Sequence, residues 1–112
     1  MKGLAVRWWL TGADAEVADR LRDYVADSSH ARFEGKAGLG FKTWRMRAGE
    51  WFEGTYVFES DEERAAFQGA FTPGADDSPV SQIVGSGPAL LEPFEVAGVA
   101  EGAAGFRSAP RG

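Results

Sequence analysis

The sequence predicts an α+β domain with the element order β-α-β-β-α-β. Two strand-like runs, 39–47 and 51–58, are separated by a short turn that contains Gly49. A helix signal follows at once from Ser60, and a further strand-then-helix pattern lies near the N-terminus. With 112 residues, 44% of them hydrophobic, the chain has the length and composition of one domain with its own core.

The first strand and the first helix are distinguished by a change of hydrophobic period. Residues 4–10 alternate as in a strand, which places Arg7 and Trp9 on one face. Apolar positions then recur at steps of three and four, which predicts an amphipathic helix over residues 13–29 with an inner side made of Val17, Leu21, Tyr24, Val25 and Ser28. Residues 29–38 are predicted to be a loop because they are rich in glycine.

The second helix is bounded by a cap and a breaker. Ser60 is the predicted N-cap, and Glu63 stands at the capping-box position three residues later. The helix runs to about residue 71 and is expected to bury four apolar side chains: Ala66, Phe67, Ala70 and Phe71. Residues 76–86 contain either a short helix opened by Ser78 or a short extended piece.

The last strand completes a ferredoxin-like arrangement. It is predicted at residues 89–99, where Pro93 indicates an edge strand or a bulge. In this arrangement an antiparallel four-stranded sheet carries both helices on one face. Since the other face also carries apolar residues, we expect two copies to pack sheet to sheet as a C2 homodimer. We place this domain at residues 1–101 and predict a flexible tail at residues 102–112.

Composition and charge exclude several function classes. The net charge of -5 argues against a nucleic-acid partner, which would favour a basic face. The lack of cysteine excludes disulfides and cysteine zinc sites, and the single histidine, His30, leaves a transition metal without a second such ligand. No apolar run suits a signal peptide or a membrane span, so we expect a cytoplasmic protein with no membrane partner. Carboxylates alone, Asp76 and Asp77, would make only an unspecific metal site, so we expect no metal.

Cations beside large aromatic residues indicate a candidate pocket. Four side chains share one face if the strands that carry them lie in matched register: Arg7, Trp9, Lys42 and Trp44. A cation in an apolar aromatic pocket stabilises a substrate phenolate or enolate and lowers the pKa of that substrate. The alternative is that Arg7 and Lys42 form ordinary cross-strand ion pairs with one of the glutamates Glu53, Glu92 and Glu95.

Other aromatic and polar side chains have both a functional and a structural interpretation. Trp8 and Trp44 either line a pocket, where they would stack on a planar substrate, or pack in the core or at the dimer interface. Tyr24 and Tyr56 donate a hydrogen bond either to a substrate carbonyl or to a protein partner, which for Tyr24 is expected to be a backbone carbonyl. His30 ends the first helix, where a positive charge is favourable, and it could serve as a ligand or base only if it turned inward.

Four short motifs, taken in order, resemble a known family. They are VRWWLTG at 6–12, GFKTW at 40–44, GTYVF at 54–58 and DEERA at 61–65. Their order and spacing resemble those of the YdhR-like monooxygenases of the dimeric α+β barrel superfamily, which are related to the antibiotic-biosynthesis monooxygenases. The similarity spans roughly residues 3–100. Arg7 departs from the pattern because a relative carries a histidine there, and the C-terminal tail is additional.

This resemblance implies a homodimer in which each subunit has a pocket between its sheet and its helices. It also implies oxygenation of a small aromatic or polyketide-like substrate by O2 without any cofactor. We therefore expect Arg7 and Lys42 to be catalytic, and we expect four side chains to bind substrate: Trp9, Tyr24, Trp44 and Phe67. Two alternatives remain open, namely a non-redox cyclase or isomerase that uses the same pocket and a dimer that binds a small ligand without turnover.

Overall fold

The protein has an α+β fold with four antiparallel strands and helices on one face of the sheet. The computed structural model describes residues 1–112. The strands are β1 (Lys2–Trp9), β2 (Leu39–Arg47), β3 (Trp51–Phe58) and β4 (Leu90–Glu95). The helices are α1 (Val17–Tyr24), a π-helical turn (Val25–Ser29), α2 (His30–Phe33), α3 (Asp61–Phe71), a 3-10 turn (Thr72–Asp77) and α4 (Pro79–Val84).

The sheet has the strand order β2-β3-β1-β4, and every neighbouring pair is antiparallel. This arrangement is compatible with the predicted ferredoxin-like order. In the register, Tyr56 of β3 lies between Leu4 of β1 and Lys42 of β2. Directly paired residues point to the same face of a sheet. The even-numbered residues of these three strands therefore face the helices over much of the sheet, and the odd-numbered ones lie on what we call the open face.

The core lies between the sheet and the helices. From β1 come Leu4, Val6 and Trp8, each no more than 3% exposed. The first helical segment contributes three residues spaced by four, namely Val17, Leu21 and Val25. Buried apolar area of this kind supplies most of the free energy that holds helices on a sheet.

The first helix begins later and ends later than predicted. Regular winding starts at Val17, after a turn in which Asp14 Oδ1 accepts the Glu16 N–H at 2.9 Å, and it continues through the π-helical turn to Phe33. Residues 29–33 are therefore helical, and the prediction of a loop there is wrong. The π-helical turn contains one extra residue, seen where the His30 N–H reaches the Val25 carbonyl. That residue rotates the chain so that Ser29, instead of Ser28, is buried.

The hairpin and α3 follow the predicted local signals. Both strands have the predicted bounds, Gly49 in the turn has φ = 80°, and Ser60 Oγ accepts the Glu63 N–H at 3.3 Å. Ala66 and Ala70 are exposed, which corrects the prediction that they are buried. Because one residue turns a helix by about 100°, they lie beside the inward stripe that runs through Phe67 and Phe71.

The C-terminal part resolves the remaining alternatives. Residues 79–84 form a helix, with Ser78 as its N-cap and Gly85 in the left-handed conformation at its end. The last strand is an edge strand, β4, and it is shorter than the predicted range 89–99. Its Pro93 lies opposite Leu4, where an edge strand tolerates a residue without an N–H.

The tail, residues 102–112, contains no helix or strand, yet it contacts the domain at several points. The Phe106 ring lies 5.4 Å from that of Phe41, and Arg111 forms an ion pair with Asp23 at 3.1 Å. The tail therefore lies beside β2 and the first helix. None of the helices combines the length and apolar character that crossing a membrane requires.

Candidate functional site

A cleft of about 370 Å³ lies between the helix-facing side of the sheet and the surrounding helices. This volume is within the range of small-molecule sites. Ten of its 17 lining residues are hydrophobic. The lining consists of Trp8, Tyr24, Ser29, Arg32, Phe33, Lys36, Lys42, Trp44, Phe52, Gly54, Tyr56, Phe67, Ala70, Phe71, Ser78, Pro79 and Val80.

Lys42 extends from β2 into an aromatic cage within this cleft. Its Nζ lies 3.7 Å from the ring centroid of Phe33, 4.5 Å from that of Trp44 and 4.2 Å from that of Tyr56. We use the term aromatic cage for these three rings. The faces of aromatic rings attract cations, so the cage suits a positively charged nitrogen.

The Lys42 amine lacks a carboxylate partner. Its Nζ donates a hydrogen bond to Tyr56 Oη at 3.0 Å and takes part in no ion pair, so the alternative of a cross-strand pair with a glutamate does not apply to Lys42. Burial, with a smaller contribution from the charge of Arg32, lowers the pKa of Lys42 to about 6. At neutral pH the side chain is thus largely a free amine, the form that accepts a proton or attacks a carbonyl.

The two tyrosines of the cleft differ in their partners. Burial raises the pKa of Tyr56, which therefore keeps its phenolic proton at neutral pH. Tyr24 Oη accepts a hydrogen bond from Arg32 Nη2 at 2.6 Å. The expected backbone carbonyl partner of Tyr24 is thus replaced by a guanidinium, which positions Arg32 next to the cleft.

The sequence provides room for the Lys42–Tyr56 pair by placing a glycine beside it. A Cβ atom at Gly54 would lie 3.3 Å from Cε1 of Tyr56 and 3.5 Å from Cε of Lys42. A methyl group there would touch Lys42 at an ordinary contact distance and crowd Tyr56 slightly, so only a side chain larger than alanine would compete with the pair for space. The glycine of the GTYVF motif therefore has a specific steric role.

The charge of the cleft is opposite to that of the whole chain. Its lining includes Arg32, Lys36 and Lys42 but no aspartate or glutamate. The chain as a whole has a net charge of -5. A cleft with aromatic walls and only basic charged groups favours a ligand that joins an aromatic body to an acidic or anionic group.

Trp44 is held in one orientation by the π-helical turn. Its Nε1 donates to Ser29 Oγ at 3.1 Å, and Ser29 is 2% exposed. His30 packs against the same indole at 5.9 Å between ring centroids, while its Nε2 lies 3.0 Å from Ser108 Oγ of the tail. His30 therefore supports the wall of the cleft and is not among its lining residues.

Trp8 forms the back wall of the cleft and is anchored from behind. It is 3% exposed, and its Nε1 donates to Ser81 Oγ at 3.0 Å. The Ser81 hydroxyl in turn donates to the Ala75 carbonyl at 2.7 Å. Trp8 thus belongs both to the core and to the lining of the cleft, so both predicted roles, core packing and pocket lining, apply to it.

Arg7 and Trp9 lie on the open face, away from Lys42 and Trp44. Arg7 Nε donates to Glu53 Oε2 at 2.8 Å, and Arg45 Nη2 lies 2.7 Å from the other oxygen of the same carboxylate. The prediction that Arg7, Trp9, Lys42 and Trp44 share one face is therefore wrong. The register explains the error, because β3 lies between β1 and β2 and pairs Arg7 with Glu53 rather than with a pocket residue.

The ion pair between Arg7 and Glu53 is the cross-strand pairing that the sequence offered as the alternative to a pocket role for Arg7. Glu53 is 2% exposed although it lies on the open face, since the two arginines cover it. Arg7 also stacks on Trp51, with its guanidinium carbon 4.2 Å from the ring centroid. Burial by itself raises the pKa of Glu53, but hydrogen bonds from Arg45, Arg7 and Thr55 outweigh it, and the pKa is lowered.

Several residues of the cleft had no place in the sequence-based site, among them three from the end of the first helix. Ser29, Arg32 and Phe33 fell in a predicted loop, whereas the π-helical turn carries the helix through them. Of the predicted binding residues, Tyr24, Trp44 and Phe67 do line the cleft. No group of three or more histidine, aspartate or glutamate side chains lies close enough together to bind a metal ion.

No protein-family model, curated protein or solved structure matches this chain. The functional assignment therefore depends on the chemistry of the cleft itself.

Proposed function

We propose that this chain is a monooxygenase that acts without a bound cofactor on a small phenolic or enolic aromatic compound. The observation that carries the proposal is the Lys42 amine in its aromatic cage, with no carboxylate nearby and a pKa lowered to about 6. The motif resemblance to the YdhR-like monooxygenases supports the same reaction class. Anthrones and hydroxynaphthalenes combine the two required features, a planar ring system and an acidic O–H or C–H bond.

The first step is proton transfer from the substrate to Lys42. A neutral amine accepts the proton, which leaves a phenolate or enolate beside an ammonium group. Their attraction is strong because the cleft is apolar and partly shielded from water. Arg32 and Lys36 add positive charge to the same cleft and further favour the anion.

The second step uses O2 as the oxidant. The electron-rich anion gives one electron to O2, and the resulting radical pair combines to form a C–O bond. The Lys42 ammonium returns its proton to the peroxide, and loss of water then converts the C–H carbon into a carbonyl. One oxygen atom enters the product and the other leaves as water. The substrate supplies all the electrons, so the balance requires no external reductant.

The walls of the cleft orient the substrate in this scheme. The Trp44 indole is fixed by Ser29, and the Phe67 ring lies 4.6 Å from that of Tyr56. Flat aromatic walls of this kind hold a planar substrate and exclude water around the radical pair.

A sheet-to-sheet homodimer of the dimeric α+β barrel type is part of the proposal. The open face carries Trp9, which is 53% exposed, beside the Arg7–Trp51 stack. An exposed aromatic residue next to a buried ionic network favours association with a second copy. Arg7 and Trp9 then belong to the subunit contact instead of the reaction site.

Oxygen uptake tests the proposal directly. The full chain is mixed with a panel of anthrones and hydroxynaphthalenes in an oxygen electrode, and quinone formation is followed in parallel. We expect one O2 consumed per quinone formed. We expect Lys42→Met to lower the rate at least about 100-fold, as removal of a general base does. Lys2→Met is the matched control, since it removes a lysine that does not line the cleft.

The other outcomes separate the alternatives. Substrate isomerisation or ring closure without O2 uptake would replace the oxygenase with a proton-transfer enzyme that uses the same Lys42 base. Saturable binding with no chemical change across the panel would replace it with a ligand-binding protein. Equal activity of the Lys42→Met variant and the wild type would remove Lys42 from the reaction.

A further inference from the structure

We propose that the Lys42 amine forms an imine with aromatic aldehydes and ketones that enter the cleft. This reaction uses the cleft of the proposed function but requires neither O2 nor an acidic substrate proton. It is carried by three geometric features of the site: a primary amine enclosed by three ring faces, a hydroxyl group in contact with it, and no carboxylate to hold it as an ammonium ion.

The enclosure of Nζ favours imine formation at this lysine. An amine attacks a carbonyl only in its neutral form, and burial beside a second cation is a known way to maintain that form. Arg32 lines the same cleft and supplies the like charge. The pKa of Lys42, lowered to about 6, agrees with this geometry.

The chemistry balances with the groups present. The Nζ lone pair attacks the carbonyl carbon, and the carbonyl oxygen takes up a proton. The carbinolamine then loses that oxygen as water, which leaves a C=N bond. The Tyr56 hydroxyl, 3.0 Å from Nζ, is in position to pass the proton between nitrogen and oxygen.

The aromatic cage also stabilises the product. A protonated imine carries its positive charge on the nitrogen that the three rings surround, and ring faces attract such a charge. The protonated imine makes adjacent C–H bonds more acidic. A ketone bound in this way would become an electron-rich enamine, which is the type of species that the proposed oxygenation needs.

The other ionisable groups of the cleft come from several elements. Tyr24 comes from α1, Arg32 from α2, Lys36 from the loop after α2, and Tyr56 from β3. The helices α3 and α4 contribute only uncharged side chains to the lining. Any pH dependence of the reaction at Lys42 therefore arises among basic groups and phenols.

The chain provides its own controls for the test, because it contains three lysines, Lys2, Lys36 and Lys42, and one N-terminal amine. The wild-type protein is incubated anaerobically at pH 7 with 2-naphthaldehyde and sodium cyanoborohydride, which reduces an imine to a stable amine. Peptide mapping by mass spectrometry then locates the naphthylmethyl group. Lys36 is the sharpest control, since it lies at the same cleft but is exposed.

We expect at least tenfold more label on Lys42 than on Lys2 or Lys36. The neutral fraction at pH 7 of an amine with a pKa of about 6 is on the order of 1,000-fold higher than that of an ordinary exposed lysine. The ratio of label on Lys42 to label on Lys36 should decline as the pH is raised toward 10. Lys42→Met should leave only the background label on the other amines.

Two results would overturn the inference: label spread evenly over all amines, or label concentrated on Lys36. The oxygen electrode keeps this inference separate from the proposed function. A trapped adduct at Lys42 without O2 uptake for any substrate would support imine formation and refute the oxygenase. Oxygen uptake with no adduct at Lys42 would support the oxygenase and refute imine formation.

Discussion

Lys42 Nζ lies 3.0 Å from Tyr56 Oη and 4.2 Å from the centroid of the same ring. The amine therefore has both a hydrogen-bond partner and a ring face from one neighbouring side chain. Tyr56 pairs directly with Lys42 across the β2–β3 ladder, so the sheet register fixes this contact. A lysine placed in this way lacks the ion pair that usually accompanies burial of a charge.

Replacing Lys42 with methionine should stabilise the protein at neutral pH. The folded-state pKa of Lys42, about 6, lies below its ordinary value of 10.5, so folding at pH 7 requires loss of a proton. One pKa unit corresponds to about 1.4 kcal/mol, and since Lys42 keeps some exposed surface that weakens the effect of burial, we expect a gain on the order of 3 kcal/mol. Urea unfolding measures it.

The stability that Lys42→Met gains over wild type should decrease as the pH rises. Between the folded and unfolded pKa values the unfolded state binds more protons, so the wild type gains stability from pH 6 toward pH 10. The difference in the free energy of unfolding between Lys42→Met and wild type should therefore be largest below pH 7. Lys36→Met, at an exposed position, should stay within about 0.5 kcal/mol of wild type. Destabilisation by Lys42→Met at pH 7 would contradict this account of the buried amine.

An aromatic anion should bind together with a proton. Near pH 7.5 Lys42 is mostly neutral, and an anion such as 2-naphthoate would raise the pKa of Lys42 by pairing with its charged form. Titration calorimetry in buffers of different ionisation enthalpy should thus show uptake of close to one proton. The affinity should fall as the pH rises above about 6. In Lys42→Met both effects should disappear, and proton uptake that persists in this variant would assign the titration to another group.

Trp44 and Trp51 should differ in their effect on binding. Trp44 lines the cleft, whereas Trp51 lies on the open face under the guanidinium of Arg7. Trp44→Ala should weaken 2-naphthoate binding by about threefold to tenfold, the value of one aromatic contact. Trp51→Ala should leave the affinity unchanged. Fluorescence titration of the two folded variants measures both, and equal losses would place the ligand outside the cleft.

Glu53 should stabilise the fold and not the binding of a ligand. It is 2% exposed and accepts hydrogen bonds from two arginines, so Glu53→Gln should cost about 2–3 kcal/mol at pH 7. Because the folded pKa is lowered, this contribution is present above the unfolded value of 4.5 and is lost as the pH falls through the folded pKa. The difference in the free energy of unfolding between Glu53→Gln and wild type should therefore shrink as the pH is lowered below 4.5.

An exposed glutamate on the edge strand β4 provides the matched control for that experiment. Glu92→Gln changes the same functional group at a solvent-exposed position of β4. It should shift the free energy of unfolding by less than about 0.5 kcal/mol. Similar losses in the two variants, or a change in ligand affinity with Glu53→Gln, would count against a purely structural role for Glu53.

Local signals in the sequence predicted the hairpin and α3 well. The bounds of β2 and β3 follow from alternation around a glycine turn, and the Ser60 cap is read directly from residues three apart. Each of these features depends on neighbours in the chain. The sequence could therefore indicate them without knowledge of the tertiary packing.

Which residues form the site depends on contacts between segments that lie far apart in the sequence, and local sequence patterns do not predict such contacts. Whether Arg7 shares a face with Lys42 depends on two successive strand registers, through β3, and a one-residue change in either reverses the answer. Arg32 and Phe33 line the cleft from α2, which follows the π-helical turn. The glycines that come after them predicted a loop from residue 29, so both residues were left out of the predicted helix.

The additional residue in the π-helical turn makes the length of this segment a determinant of the shape of the cleft. Deleting one residue between positions 25 and 29 would restore 3.6-residue winding and turn the helical residues that follow, 30–33, by about 100° relative to α1. The guanidinium and the phenyl ring that roof the binding cavity would then swing toward solvent, while the strands beneath kept their places. Loss of a single residue would thus change the shape and charge of the cleft without any substitution in the strands that form its other side.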